Sequence, residues 1–346
     1  MQHISEIIEN ILVEWAYRVH DGMPNPKNAQ HIQELRESME ELNLPNKVIY
    51  EVIKNLINED FGLEKIYTGT IWAEGPVWVE NENLIVWSDV KSNKMLSFNV
   101  ETKIVSDFRY PSEFNNGNCT DASGRIISCQ HGKRRVVRQE KDGNFTVIAD
   151  KFNNKKLNSP NDVAVSKSGN IWFTDPPYGI LTDQEGHKSD SEQDGNHLYK
   201  VDNKFNIKKI DANFDKPNGL VFSPDGKILY VADSGAAEPG NFNLSRPHNI
   251  QKFNLDNYDI FLSKEIFTEI ENGFPDGMTV DTYGNLFVCD PNGMKIHIFD
   301  PSSEKLGHID IPERVANCTF GGHNKSDLYI TASTSLYKLK TMTNGL

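Results

Sequence analysis

The chain has 346 residues, 37% of them apolar and 25% charged, and a net charge of −13. These values describe a globular protein of one large domain, or one domain with a small companion. The acidic balance argues against a nucleic-acid binder, since no Lys/Arg cluster is denser than Lys133, Arg134 and Arg135 and a polyanion would be repelled.

The first residues, MQHISEIIENILVEWAYR, lack the basic start and continuous apolar core of a signal peptide. No stretch approaches the ~20 apolar residues of a membrane-spanning helix. Cys119, Cys129, Cys289 and Cys318 show no CxxC spacing, so a thiolate zinc site is not expected. Free thiols in a cytoplasmic protein are the plain expectation, with a Cys119–Cys318 disulfide as the alternative.

Residues 1–62 carry helical periodicity. Ile4, Ile7, Ile8, Ile11, Leu12, Trp15 and Val19 form one apolar stripe at three-four spacing. The loop DGMPNPKN follows. Ile32, Leu35, Met39 and Leu42 mark a second helix. Pro45 opens a third, with Val48, Ile49, Val52, Ile53, Leu56 and Ile57 on its apolar face. Three short helices bury little surface alone, so the expectation is a small helical domain packed on the rest of the chain or joining a homo-oligomer.

From residue 63 to 346 the period becomes two. Short alternating runs are split by turn signals at Ser123–Gly124, Asp142–Gly143, Ser168–Gly169, Asp225–Gly226 and Asn292–Gly293. Six runs open on an oxygen-bearing side chain: Glu74, Asn118, Asn161, Asn218, Asp276 and Asn317. Their spacings of 44, 43, 57, 58 and 41 residues suit four-stranded propeller blades. The two long intervals hold polar insertions at 178–196 and 236–249, of the kind that form lids or binding walls. Only 29 residues follow Asn317, enough for three strands, while the run 63–72 precedes the first repeat with no blade of its own. Pairing the early strand with the late ones closes the ring and removes its open edges. The predicted fold is an all-β six-bladed propeller preceded by a small all-α domain.

In a propeller the first strand of each blade lines the central channel, so the six openings would form a ring of oxygen donors. Ca²⁺ takes 6–8 such ligands, and Glu74 and Asp276 would balance its charge. The absence of His and Cys from the ring disfavours zinc or copper. Asn and Asp also cap turns, and a repeat could keep them for that alone. Second runs end in Asp89, Asp175, Asp233, Asp290 and Ser333, which read as turn or supporting residues.

The segments AEGPVW (73–78), SPNDVAV (159–165), WFTDPPYG (172–179), KPNGLVF (216–222) and FPDGMTVD (274–281) resemble the SMP-30/gluconolactonase family, which includes the diisopropyl-fluorophosphatase-like and luciferin-regenerating propellers. TDPPYGI, CQHGKRR (129–135) and EGHK (185–188) look most like its gluconolactonase branch. The resemblance covers residues 63–340 and leaves the helical segment outside it. It implies one catalytic Ca²⁺, or another divalent ion such as Zn²⁺, Mg²⁺ or Mn²⁺, held by Glu74, Asn161, Asn218 and Asp276. Asp276 is then the candidate catalytic base or nucleophile, with metal-bound water as the alternative. Asn118, Asn317 and His131 are the expected substrate contacts.

The expected activity is hydrolysis of a sugar lactone, with the ion polarising the carbonyl. Hydrolysis of a phosphotriester or other ester at the same ion is the alternative within the enzyme class. A calcium-binding propeller without turnover, serving binding or assembly, is the alternative outside it.

Overall fold

A computed structural model of the chain describes residues 15, 29–49, 52, 62–238, 241–341 and 343–346. The first predicted helix lies outside the described residues except for Trp15, and so does most of the third. The second is observed as the helix Ala29–Glu41. Its stripe is buried as the spacing requires, with Ile32, Leu35 and Met39 no more than 2% exposed. Leu42 falls just beyond the helix and is exposed. Asn43 adopts a left-handed backbone, and residues 46–49 turn helically after Pro45.

Among the described residues the strands form six four-stranded antiparallel sheets. Blade 1 runs Ala73–Val79, Leu84–Asp89, Lys94–Asn99 and Val105–Arg109. The inner strands of blades 2 to 6 are Asn115–Thr120, Val163–Val165, Pro217–Phe222, Met278–Val280 and Val315–Gly321. Blade 6 is completed from the other end of the propeller: Glu64–Thr68 pairs with Ser335–Lys340, Glu64 opposite Lys338 and Thr68 opposite Ser335. This is the closure predicted from the two leftover runs, and it leaves the ring no unpaired seam.

The core lies between the blades. Apolar clusters fill each gap, for example Trp78, Trp87 and Phe98 of blade 1 against Tyr329 and Leu336 of blade 6, and Phe287 and Ile298 of blade 5 against Phe320 and Ile330 of blade 6. Each cluster joins two blades, so the ring stabilises as a whole rather than blade by blade. All four cysteines are free thiols, and Cys129, Cys289 and Cys318 are buried.

The helix Ala29–Glu41 docks on blade 5. Arg36 stacks 3.4 Å over the Tyr283 ring, and Tyr283 donates its hydroxyl hydrogen bond to Gln33. Lys47 pairs with Glu304 at 3.5 Å. Tyr283 and Glu304 lie in the turns that follow the inner and third strands of this blade, so the helix sits at the channel end where inner strands finish. No helix among the described residues is long and apolar enough to cross a membrane.

Candidate functional site

The six inner strands run in the same direction along the axis, and two cavities mark their two ends. Where they finish, a cavity of about 550 Å³ is lined by Asn118, Asp162, Asn317 and the residues that follow them. Where they begin, a cavity of about 370 Å³ is lined by Glu74, Asn116, Asn161, Asn218 and Asp276, with Trp72, Lys216, Phe274 and Arg314 above them. The smaller cavity gathers the oxygen donors, whereas Asn118, Asp162 and Asn317 of the larger one are engaged by hydrogen bonds within the protein.

The donors reach the channel through a break in the strand ladder. Pairing slips between Glu74 and Val77 in blade 1, Asn115 and Asn118 in blade 2, and Pro217 and Leu220 in blade 4. In blades 3 and 5 regular pairing starts only at Val163 and Met278, just after Asn161 and Asp276. Such irregularities re-aim a side chain. In four blades the next residue in line has no side chain. A Cβ on Gly75 would lie 2.2 Å from Asn116 O, and one on Gly219 2.3 Å from Asp276 O. Gly75 also has a positive φ of 49°. Neighbouring inner strands are therefore in close backbone approach at the ring, as Gly117 N to Asn161 O and Gly277 N to Ala316 O, both 2.8 Å, also show.

These contacts fix the true ring: Glu74, Asn116, Asn161, Asn218, Asp276 and Ala316. The sequence-predicted Glu74, Asn161, Asn218 and Asp276 are brought together. Asn118 and Asn317 are not in that ring. Asn118 lies two residues along its strand, where its amide donates to Gly75 O at 2.8 Å and accepts from Asn115 and Ser128. Asn317 takes the place that glycine holds in four blades, and it hydrogen-bonds Asp162, the corresponding residue of blade 3. Together Asp162 and Asn317 occupy the channel below the ring; Cβ atoms on Gly117 and Gly277 would strike them at 2.3 and 2.0 Å. Sequence reasoning missed Asn116, although Asn116–Gly117 repeats the donor-glycine pair of Glu74–Gly75, Asn218–Gly219 and Asp276–Gly277.

His131 also stands away from the cavity. It is fully buried behind the short helix Tyr178–Leu181, with Nδ1 3.1 Å from Glu185 O, and burial pushes its pKa down to about 4. Its contact with the carbonyl supports the 178–196 insertion rather than a ligand. That insertion folds back on itself, with His187 N bonded to Gly179 O and Ser189 N to Ile180 O, and gives Tyr178, Leu181, Gln184 and Glu185 to the cavity wall.

The Asp residues that end second strands hold the wall from behind. Asp89 accepts from Ile71 N and Trp72 N, Asp233 from Asp215 N and Lys216 N, and Asp290 from Phe274 N. Asp175 does the same for Asn158 N at 2.8 Å.

Electrostatics set the ring apart. Burial, with Asp276 and Asp162 adding repulsion, holds the Glu74 carboxyl well above the usual range. Burial raises Asp276 to about 8 against a hydrogen bond from Asn218 that favours its charge. Trp72 Nε1 and Gly75 N donate to Glu74 at 3.3 and 3.2 Å. Two buried carboxylates and three amides, all oxygen donors, have the composition a hard divalent cation takes, and a cation among them would reverse both upward shifts. Among the described residues no three His, Cys, Asp or Glu side chains gather as a metal centre, so a cation here would need the amides as ligands.

Comparison with known proteins places the chain by sequence and by fold. Residues 72–334 match the SMP-30/Gluconolactonase/LRE-like region. A gluconolactonase of Zymomonas mobilis is 32% identical over 308 residues, covering 82% of both chains. The solved structure of a gluconolactonase from Xanthomonas campestris superposes with a TM-score of 0.72 at 32% identity, over 80% of this chain and 88% of that one. A regucalcin structure from Agrobacterium tumefaciens, 16% identical, shares the fold with a TM-score of 0.68 over 83% of this chain and 96% of that one. With a family match over residues 72–334 and relatives 32% identical over most of both chains, the chain belongs to the SMP-30/gluconolactonase family.

Proposed function

We propose that this protein is a metal-dependent lactonase that opens the ring of a sugar lactone at the ring of Glu74, Asn116, Asn161, Asn218 and Asp276. The observation that carries the reading is that two buried carboxylates and three amides line one solvent-reached cavity in a chain related to proteins named gluconolactonases. Glu74, Asn161, Asn218 and Asp276 are the residues assigned to hold the ion, with Asn116 beside them. The Agrobacterium homologue of the fold is itself described as calcium-binding, and Ca²⁺ fits an all-oxygen set. When bound, a divalent ion polarises the lactone carbonyl as a Lewis acid.

The chain's own residues supply the rest. Asp276 takes the proton from the attacking water, and the Asn218 amide keeps its carboxylate oriented. The new C–O bond forms at the carbonyl carbon and the ring ester bond breaks. The proton returns to the leaving alkoxide, giving a hydroxy acid. Trp72, Phe274 and Tyr178 wall the site with rings against which a sugar can lie.

A panel of lactones and activated esters, assayed with and without chelator, tests the assignment. Lactone hydrolysis abolished by chelator and restored by a divalent salt supports it. Hydrolysis that survives chelation, or turnover of phosphotriesters but of no lactone, overturns it.

A further inference from the structure

Arg314 is a wall residue whose positive charge acts on the Asp276 carboxyl and to which lactone hydrolysis assigns no contact with the substrate. It lies at the head of the blade 6 inner strand, two positions before Ala316, at the level that also carries Trp72, Lys216 and Phe274. Its backbone is fixed: Arg314 O accepts from Ser333 N at 2.9 Å and from Ser333 Oγ at 3.3 Å. The neighbouring Glu313 is fully engaged by Thr334, Ser335, Tyr337 and Lys65. The Arg314 side chain, by contrast, is exposed at the cavity and makes no hydrogen bond or ion pair among the described residues.

The other charges of the cavity are accounted for. Lys91 pairs with Glu185 at 3.3 Å and lies 5.2 Å over the Trp72 ring. Lys216 donates to Gly235 O and Ala237 O. Glu74 and Asp276 are committed to the ion. What is left is a planar guanidinium with its fork of donors open to the substrate space, on the one blade whose ring position is a methyl group, Ala316. A neutral sugar offers only hydroxyls, which the Asn116 amide, not among the residues assigned to the ion, can serve. A guanidinium fork matches a carboxylate or phosphate in shape and charge.

Resting on the lactonase reading, we propose that Arg314 selects lactones bearing a second acidic group, a carboxylate or a phosphate remote from the reacting carbonyl, over neutral sugar lactones. Arg314 is a specificity residue in this assignment and takes no part in the proton transfers.

The test compares the metal-loaded protein with Arg314→Gln and Arg314→Lys, both at an exposed side chain. The probes are glucono-δ-lactone as the neutral lactone, a glucarate lactone for the carboxylate, and glucono-δ-lactone phosphorylated on its terminal hydroxyl for the phosphate. Arg314→Gln is expected to lower kcat/KM about tenfold or more on an acidic lactone, mainly through KM, and to lower it on the neutral one by much less, the part that follows from losing a positive charge near Asp276. Whichever acidic probe responds identifies the group, and Arg314→Lys restores part of the loss. Calorimetry of glucarate and gluconate binding gives a reading free of turnover. Glucarate binding that weakens about tenfold in Arg314→Gln while gluconate binding holds supports the assignment even if no lactone is opened, in which case the lactonase reading falls alone. Equal losses on neutral and acidic lactones, or no loss on any, overturn the role of Arg314 while leaving the lactonase reading intact.

Discussion

Two levels of the channel, one residue apart on the same six strands, differ in what happens to their polar groups. The upper level is Glu74, Asn116, Asn161, Asn218, Asp276 and Ala316, and its donors line a cavity. The lower level is four glycines with Asp162 and Asn317. There the polar groups are used up by the protein: Asp162 accepts from Val163 N at 2.9 Å and from Asn317. Both levels contain Asn and Asp. What separates a ligand site from a structural plug is whether internal hydrogen bonds consume the oxygens, and residue type alone does not say. The glycines matter to both, since they let the inner strands approach closely enough for the donors above to meet.

The comparison can be broken at its upper level first. Asp276→Asn keeps the shape and removes the charge, and is expected to lower lactone kcat/KM by about 10²–10⁴-fold with the fold retained by circular dichroism. Gly219→Ala is next. Its Cβ would strike Asp276 O, a backbone atom, so Asp276 must move. We expect a stability loss of about 1–3 kcal/mol in denaturant unfolding together with a large loss of activity. The conservative volume change makes this a test of close approach rather than of chemistry.

A third prediction concerns pH. Asp276 at about 8, Asp162 at about 7 and Glu74, raised well above its usual value, all bind protons more tightly folded than unfolded. Between about pH 4 and pH 8 the unfolded chain has released protons that the folded one still holds. Metal-free protein should therefore lose stability as pH rises through that window. Saturating Ca²⁺ should remove the part due to Glu74 and Asp276 and leave the part due to Asp162. Melting temperature against pH, in chelator and in calcium, reads both. A Tm in chelator that is flat or rising across the window contradicts the account.

The smallest effect on activity belongs to Asn118, one residue beyond the lower level on the blade 2 inner strand. Asn118→Ala removes donors to Gly75 O and Ser88 and an acceptor for Asn115 and Ser128. The expected outcome is a loss of about 1–3 kcal/mol in thermal unfolding, with lactone KM within about twofold of the parent. A large change in KM with unchanged stability would return Asn118 to the substrate.

The fold was legible because it repeats. Period, blade length and the two unpaired runs together define the closed ring, and Glu64–Thr68 beside Ser335–Lys340 is what they predict. Four ring residues were legible because each stands before a glycine or Asp at the head of its run. Blades 2 and 6 misled because Asn118–Cys119–Thr120 and Asn317–Cys318–Thr319 look alike, while the ladder break puts Asn116 and Ala316 at the ring. Their likeness reflects the strand and not the site. Arg314 had no local signal, and Lys216 and Tyr178 were legible only as members of the KPNGLVF segment and of the insertion that reads as a binding wall. Arg314 and Lys216 belong to a level above the ring, and which residue of the insertion reaches the axis is set by tertiary packing. His131 had the opposite fault, a suggestive setting beside Lys133, Arg134 and Arg135 that the fold places under the 178–196 insertion.

The central claim is that the upper ring holds one divalent ion. Calorimetric titration of Ca²⁺ into chelator-treated protein, alongside Asp276→Asn and Asn118→Ala, tests it most directly. The account predicts one ion per chain, binding lost in Asp276→Asn and retained in Asn118→Ala. Binding that is unchanged by Asp276→Asn, or that is absent from the parent for every divalent ion tried, would contradict it.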